Sequence, residues 1–266
     1  MNTAFSAVEA ARILVARRIS GEQGGRLPEG SRPQDLEQAL AIQAAVTARW
    51  CEQMDDSIGG WKCLLPPQDK LVLGPIYTRT IDSVPPVSLW VKTTAEGERA
   101  RIEPELAFFF GRDLPARAEP YTPAEVDAAI ARTHMALELI NSRYADPASC
   151  EFPEMLADGL VNQGLFIGPE VDSENARGAS SFTITLTCDN GEVIERQGQH
   201  PNTQPRAPLY WLAEFLRSRG EGIVAGQAVI TGSYAGVIEV PTNTGIRIDY
   251  AGLGGMQVSF TARQAS

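Results

Sequence analysis

The chain has 266 residues, 43% of them hydrophobic and 21% charged, enough material for one large folded body with an ordinary core. A formal net charge of −10 argues against a nucleic-acid partner, which needs a basic face. An anionic ligand of so acidic a body has to be drawn in by a local cation.

Residues 4–18 place Val8, Ala11, Ile13, Leu14 and Ala16 at near-helical spacing, and a loop rich in Gly, Pro and Ser follows over 19–32. A second helix is expected from Pro33, in its first turn, to Met54. Residues 59–65 read as a short strand in which Lys62 stands among bulky apolar neighbours. Such a lysine either snorkels at an edge or is desolvated beside a site. Residues 66–73 read as a loop, 74–77 as the start of a strand, and 84–91 as an extended segment. A strand over 101–111 and a loop over 112–121 lead to Thr122-Pro123-Ala124-Glu125, a helix start with a capping box. That helix is expected to end near Arg132, with His134 at the junction to a strand that carries Glu138.

Residues 153–157 suggest a helical turn, and 160–167 a strand holding Asn162 and Gln163. Residues 181–188 alternate, and Asp189-Asn190-Gly191 turns them back into 192–196. An amphipathic helix over 208–219 stops at Gly220. Short strands are expected over 227–232, 237–240, 245–250 and 256–262. A helical layer over 1–58 before a strand-dominated body over 59–266 predicts an α+β fold built as one integrated domain. No apolar run approaches the roughly 18 residues of a membrane span, and residues 1–20 lack a signal-peptide pattern. Cys51, Cys63, Cys150 and Cys188 show no CxxC spacing and read as reduced thiols of a cytoplasmic protein.

Two stretches carry candidate chemistry. In a strand over 101–111, Glu103 and Glu105 project from one face while Leu106, Phe108 and Phe110 point into a core. Two like charges so placed repel unless something positive stands between them. Glu138 sits among Ala136, Leu137, Leu139 and Ile140, where a bare buried carboxylate costs several kcal/mol. A divalent cation collecting all three resolves both oddities; the alternative is a solvated acidic edge. With two histidines in the chain, the ligands are oxygens and the ion a hard one.

Gly60-Trp61-Lys62, Glu103-Pro104-Glu105-Leu106-Ala107-Phe108, Leu137-Glu138-Leu139-Ile140-Asn141-Ser142-Arg143, Gly164-Leu165-Phe166-Ile167-Gly168 and Thr231-Gly232-Ser233 occur in that order, with Ala251-Gly252-Leu253-Gly254 near the end. So ordered, the chain resembles the 2-keto-4-pentenoate hydratase and 4-oxalocrotonate decarboxylase group of the fumarylacetoacetate hydrolase superfamily, over almost its whole length. The resemblance implies a mixed β-sheet roll with flanking helices, assembled as a homodimer or larger ring. It implies Glu103, Glu105 and Glu138 as ligands of one Mg²⁺ or Mn²⁺, and Lys62 as the catalytic or substrate-orienting side chain beside it. Thr231 and Ser233 would border the substrate pocket, Ser233 either binding a substrate carboxylate or satisfying its own turn. Two positions depart from the group: Val72 stands where many members carry an Asp, with Asp69 three residues earlier, and Asn141 replaces an Asp or Gly.

A 2-oxo acid offers two adjacent oxygens that a hard ion can chelate, and the ion then stabilises an enolate. The expected reaction is hydration of a 2-hydroxy-2,4-dienoate to a 4-hydroxy-2-oxo acid in catabolism of aromatic compounds. Decarboxylation of a 2-oxo-enedioate uses the same electron sink. Carbon–carbon hydrolysis needs a general base, for which His134 and His200 are the candidates, and neither position favours the role. A non-catalytic metal- or oxo-acid-binding protein is the remaining alternative. Arg79, Arg112 and Arg143 are the arginines considered for a second substrate carboxylate.

Overall fold

Helix α1 (Ala7–Ser20) begins where the Ser6 hydroxyl accepts from the Glu9 N–H and ends on left-handed Gly21. The structure, a computed structural model, describes residues 5–67 and 70–264. Helix α2 (Leu36–Met54) starts later than expected, because the Asp35 carboxylate accepts from the Gln38 N–H. A side-chain acceptor satisfies an orphan amide of the first turn, which Pro33 has no means of doing. Helices α1 and α2 pack together, burying Ala10, Leu14 and Val15 of α1 and Ala39, Ile42 and Val46 of α2 in the main core.

The body is built of strands. β1 (Ile58–Cys63) pairs antiparallel with β2 (Leu73–Tyr77). Three short pieces follow: β3 (Ile81–Asp82), β4 (Val87–Leu89) and β5 (Lys92–Thr94). The 14-residue β6 (Gly97–Phe110) runs the length of the molecule. α3 (Pro123–Ala129) carries the expected capping box at Thr122 and Glu125 but stops three residues short of Arg132. β-Branched Ile130 and Thr133 suit the extended chain, so β7 (Ile130–Ile140) starts at once, and His134 lies inside it rather than at the junction. After α4 (Phe152–Ala157) come β8 (Asn162–Val171) and α5 (Ser173–Arg177), a single turn not anticipated from the sequence. The hairpin of β9 (Ser181–Cys188) and β10 (Val193–Gln199) turns at the predicted Asp-Asn-Gly. α6 (Ala207–Ser218) precedes β11 (Ala228–Ile230), β12 (Ile238–Pro241), β13 (Gly245–Tyr250) and β14 (Gly254–Ala262).

Two mixed sheets result, in keeping with the α+β expectation. One has the order β10-β9-β13-β14-β4. The larger runs β2-β1-β11-β6-β7-β8-β3, with β5 and β12 on the other half of β6. β2 passes through Thr78–Thr80 into β3, whose pairing with β8 brings the path back to its start, so the sheet curls into a roll. Gly60 permits one seam of it: a Cβ there would lie 2.2 Å from the Ala228 carbonyl oxygen across the β1–β11 pair. Leu106, Phe108 and Phe110 bury against the main core as the alternation requires. The other face of β6 supplies Ala107 to a second cluster, with Ile76, Ala136, Leu165, Ala228 and Ile230, every member fully buried. Small and branched residues from five strands fill the inside of the roll.

Candidate metal centre

The antiparallel register of β6 and β7 sets Glu103 directly opposite Glu138, and Glu105 opposite Ala136. All three carboxylates therefore share one face, and each offers an oxygen within 4.8 Å of the others. Lys62, the fourth group, arrives through a long-range pairing. β11 joins antiparallel to β6 and parallel to β1, which carries Lys62 onto the same face beside Ile230. Its Nζ lies 2.6 Å from Glu138 Oε1 and donates to the Leu160 carbonyl at 3.2 Å. Lys62 does not snorkel to an edge: the residue is 9% exposed and faces all three acids.

Burial and mutual repulsion shape the charge state. Burial, then the neighbouring Glu138 charge, push the Glu103 carboxyl up to about 7, against the pull of Lys62. Burial followed by the charges of Glu138 and Glu103 holds Glu105 well above the usual carboxylate range. Burial opposes the charge on Lys62, but Glu138, Glu103 and Glu105 outweigh it and keep the ammonium above its ordinary value. One ammonium facing three acids leaves an excess of negative charge in a dry place. Among the described residues, Glu138 Oε2 is buried without a hydrogen-bond partner, and Glu105 is met only on Oε2, by the Gly232 N–H at 2.7 Å. Free carboxylate oxygens converging from an all-oxygen donor set fit a hard divalent ion, which supplies the missing positive charge.

A cavity of about 360 Å³ opens over these groups, walled by Leu64, Val72, Leu160, Pro201 and Ser233. Ser233 thus lies on the wall, but its hydroxyl donates to the Gly236 carbonyl and accepts from the Ala235 N–H, which satisfies its own turn. Thr231 does not reach the cavity lining; it is buried behind Gly232 with its hydroxyl at 3.3 Å from His200 Nε2. The family Asp position is occupied by the Val72 wall, while Asp69 lies outside the described residues. None of the three arginines considered for a second carboxylate lines the cavity: Arg143 is buried against Asp158, and Arg79 and Arg112 are exposed elsewhere.

Sequence reasoning missed two groups. The Asn162 amide donates to Glu138 Oε1 at 2.9 Å, and the Gly232 N–H binds Glu105. Asn162 had a signal, being one of two amides, with Gln163, at the head of an apolar strand. The Gly232 contact had only the glycine itself: its φ is 119°, and a Cβ would come within 2.4 Å of the Leu64 side chain.

Neither histidine lines the cavity. His134 bonds the Gly168 carbonyl through Nδ1 at 2.9 Å and packs edge-on to Phe109. His200 accepts the Asn202 N–H on Nδ1, so Nε2 carries the proton and donates to Thr231. Burial lowers its pKa to about 4. The folded protein thus refuses a proton that the unfolded chain takes up below about pH 6.5. Stability against unfolding is expected to fall by on the order of 2 kcal/mol as pH drops from 6.5 towards 4, and His200→Gln should flatten that difference. Denaturant titrations of both proteins across this window provide the check, and identical pH slopes would refute the assignment.

The fold is a mixed β-roll with three acids and a lysine gathered at one mouth, a donor set that fits a divalent ion. The family model described as "Fumarylacetoacetate (FAA) hydrolase C-terminal" matches residues 44–259, and the chain belongs to that family. A 4-oxalocrotonate decarboxylase of Pseudomonas sp is 26% identical over 186 residues, 66% of this chain and 68% of that protein. A 2-keto-4-pentenoate hydratase of Paraburkholderia xenovorans (strain LB400) is 25% identical over 164 residues, 62% of this chain and 60% of the relative. Among solved structures, 4-oxalocrotonate decarboxylase from Pseudomonas putida G7, complexed with magnesium and adipate, superposes with a TM-score of 0.75. That likeness covers 96% of this chain and 97% of the other at 20% identity, and it concerns the fold. No helix among the described residues is long and apolar enough to cross a membrane.

Proposed function

We infer that the protein is a divalent-metal-dependent hydratase that adds water to a 2-hydroxy-2,4-dienoate, through its 2-oxo-enoate form, giving a 4-hydroxy-2-oxo acid in catabolism of aromatic compounds. The observation that carries the reading is the convergence of Glu103, Glu105 and Glu138 within 4.8 Å around a buried carboxylate oxygen that has no partner. These three hold the ion, Mg²⁺ or Mn²⁺. When bound it supplies Lewis-acid polarisation of the adjacent ketone and carboxylate oxygens of a 2-oxo acid. Lys62 Nζ, tethered by Glu138 and the Leu160 carbonyl, stands at the edge of the cavity as the one cationic proton donor among its described lining residues. Leu64, Val72 and Pro201 form an apolar far wall that excludes bulk water and accepts a hydrocarbon tail. The four cysteines are unpaired, which suits a cytoplasmic protein, and we take the working form to be a homo-oligomer.

A second reading is decarboxylation of a 2-oxo-enedioate. The first of the relatives named above is a decarboxylase, which favours it. Against it, the described lining offers no second cation for a distal carboxylate. Purified protein with Mg²⁺ is expected to bleach the ultraviolet absorption of 2-hydroxypenta-2,4-dienoate without releasing CO₂. Stoichiometric CO₂ from a 2-oxo-enedioate, with the monoacid untouched, reverses the choice. Binding of Mg²⁺ and oxalate with neither reaction leaves a binding protein.

A further inference from the structure

The carbonyl that holds Lys62 belongs to a stretch of backbone that side-chain-bearing residues avoid. Gly159, Leu160 and Val161 all have positive φ, at 73°, 52° and 63°, and a β-branched valine is especially ill-suited there. Such a turn persists only when its surroundings over-determine it. Here they do so from both ends. Before it stands Asp158, whose carboxylate takes Arg143 Nε on both oxygens at 2.6 and 2.8 Å. The Asp158 backbone carbonyl accepts from Arg143 Nη2 at 2.9 Å and from Arg18 Nη2 of α1 at 3.3 Å. After it, the Val161 carbonyl takes the Asn141 N–H at 2.8 Å.

The turn delivers two contacts into the metal centre: Leu160 O to Lys62, and the Asn162 amide to Glu138 Oε1. Stability alone is a poor account of the clamp. Arg143 and Asp158 are each 2% exposed and Arg143 Nη1 has no partner, so desolvation offsets much of what their attraction contributes. A buried pair of that kind is better explained by the arrangement it enforces.

We propose that the Arg143–Asp158 pair, braced by Arg18, is a positioning device for the metal centre. It holds the 159–161 turn so that the Leu160 carbonyl orients Lys62 and the Asn162 amide orients Glu138. The inference rests on the metal-centre reading above, and neither Arg143 nor Asp158 lines the cavity.

Asp158→Asn keeps the side-chain shape and removes its charge. Measured well below its melting temperature, this variant is expected to bind Mn²⁺, followed by the free-ion signal in electron paramagnetic resonance, about ten- to a hundredfold more weakly than wild type. Its kcat should fall by a similar factor, with KM moving less. Asp158→Glu should recover part of both. A folded Asp158→Asn protein with Mn²⁺ affinity and kcat within about twofold of wild type overturns the proposal.

Where Asp158→Asn does not fold, Val161→Gly decides. It leaves the ion pair intact and relieves the left-handed valine, so its melting temperature should hold or rise while Mn²⁺ affinity and kcat fall. Unchanged affinity and kcat in that variant refute the device. Wild-type protein that takes up no Mn²⁺ overturns the metal-centre reading itself, and this one with it.

Discussion

Lys62→Ala is expected to keep its divalent ion and to turn over about 10²–10⁴-fold more slowly, the range a positioned proton donor contributes. The ammonium is not a ligand; it stands 2.6 Å from one oxygen of Glu138 and leaves the other free. Without it, one half-buried and two buried acids face one another, with Arg101 beside Glu103 as a weaker counter-charge. The metal-free variant should therefore lose about 3 kcal/mol of stability, as broken buried pairs do. Mg²⁺ should raise its melting temperature by more than it raises that of the wild type, since the ion then replaces the lost ammonium as the main positive charge facing the acids. Thermal unfolding with and without Mg²⁺, beside steady-state kinetics, separates the roles. A variant that is merely less stable and still fully active would make Lys62 a structural lysine.

The second large effect belongs to Glu138→Gln. Removing one of three charged ligands should weaken Mn²⁺ binding by at least about a hundredfold and reduce turnover by roughly a thousandfold, equivalent to several kcal/mol of lost charge stabilisation. The fold should tolerate the change, because Lys62 keeps Glu103 and Glu105 nearby and the amide can still accept from Asn162. Calorimetric titration with Mn²⁺ and a melting curve test both halves. Undiminished metal affinity in a folded Glu138→Gln protein contradicts the three-acid site.

How much of this was legible in the residues follows from the range of the interactions involved. The period-two reading of β6 depends on local geometry alone, so Glu103 and Glu105 were placed on one face, and Leu106, Phe108 and Phe110 on the other, before any partner strand was known. The capping box at Thr122 and the Asp189-Asn190-Gly191 turn are equally local. Pro33 misled because a proline suits a first turn generally, whereas the Asp35 carboxylate decides where this helix begins. His134 was misplaced by the same sort of boundary error, α3 giving way to β7 at Ile130.

What no local pattern carries is the pairing of β11 between β1 and β6, which brings Lys62 to the acids across the sheet. Nor does it carry the direction of the hydroxyls around Gly232. Thr231 and Ser233 look alike as pocket donors, yet one turns inward to His200 and the other closes its own turn. The contributions of Asn162 and the Gly232 N–H depend on backbone in the left-handed region, where Asn and Gly are weak signposts.

Along the carboxylate side of β6, Glu103 and Glu105 are followed by Ala107 of the packed inner cluster and then by Phe109, which borders a separate cavity at the opposite mouth of the roll. Among the described residues, fully buried Ala and branched aliphatic side chains stand between the two mouths. Whatever the acids bind therefore has no route along the inside of the roll to that second cavity and is exchanged on the acids' own side of the cluster.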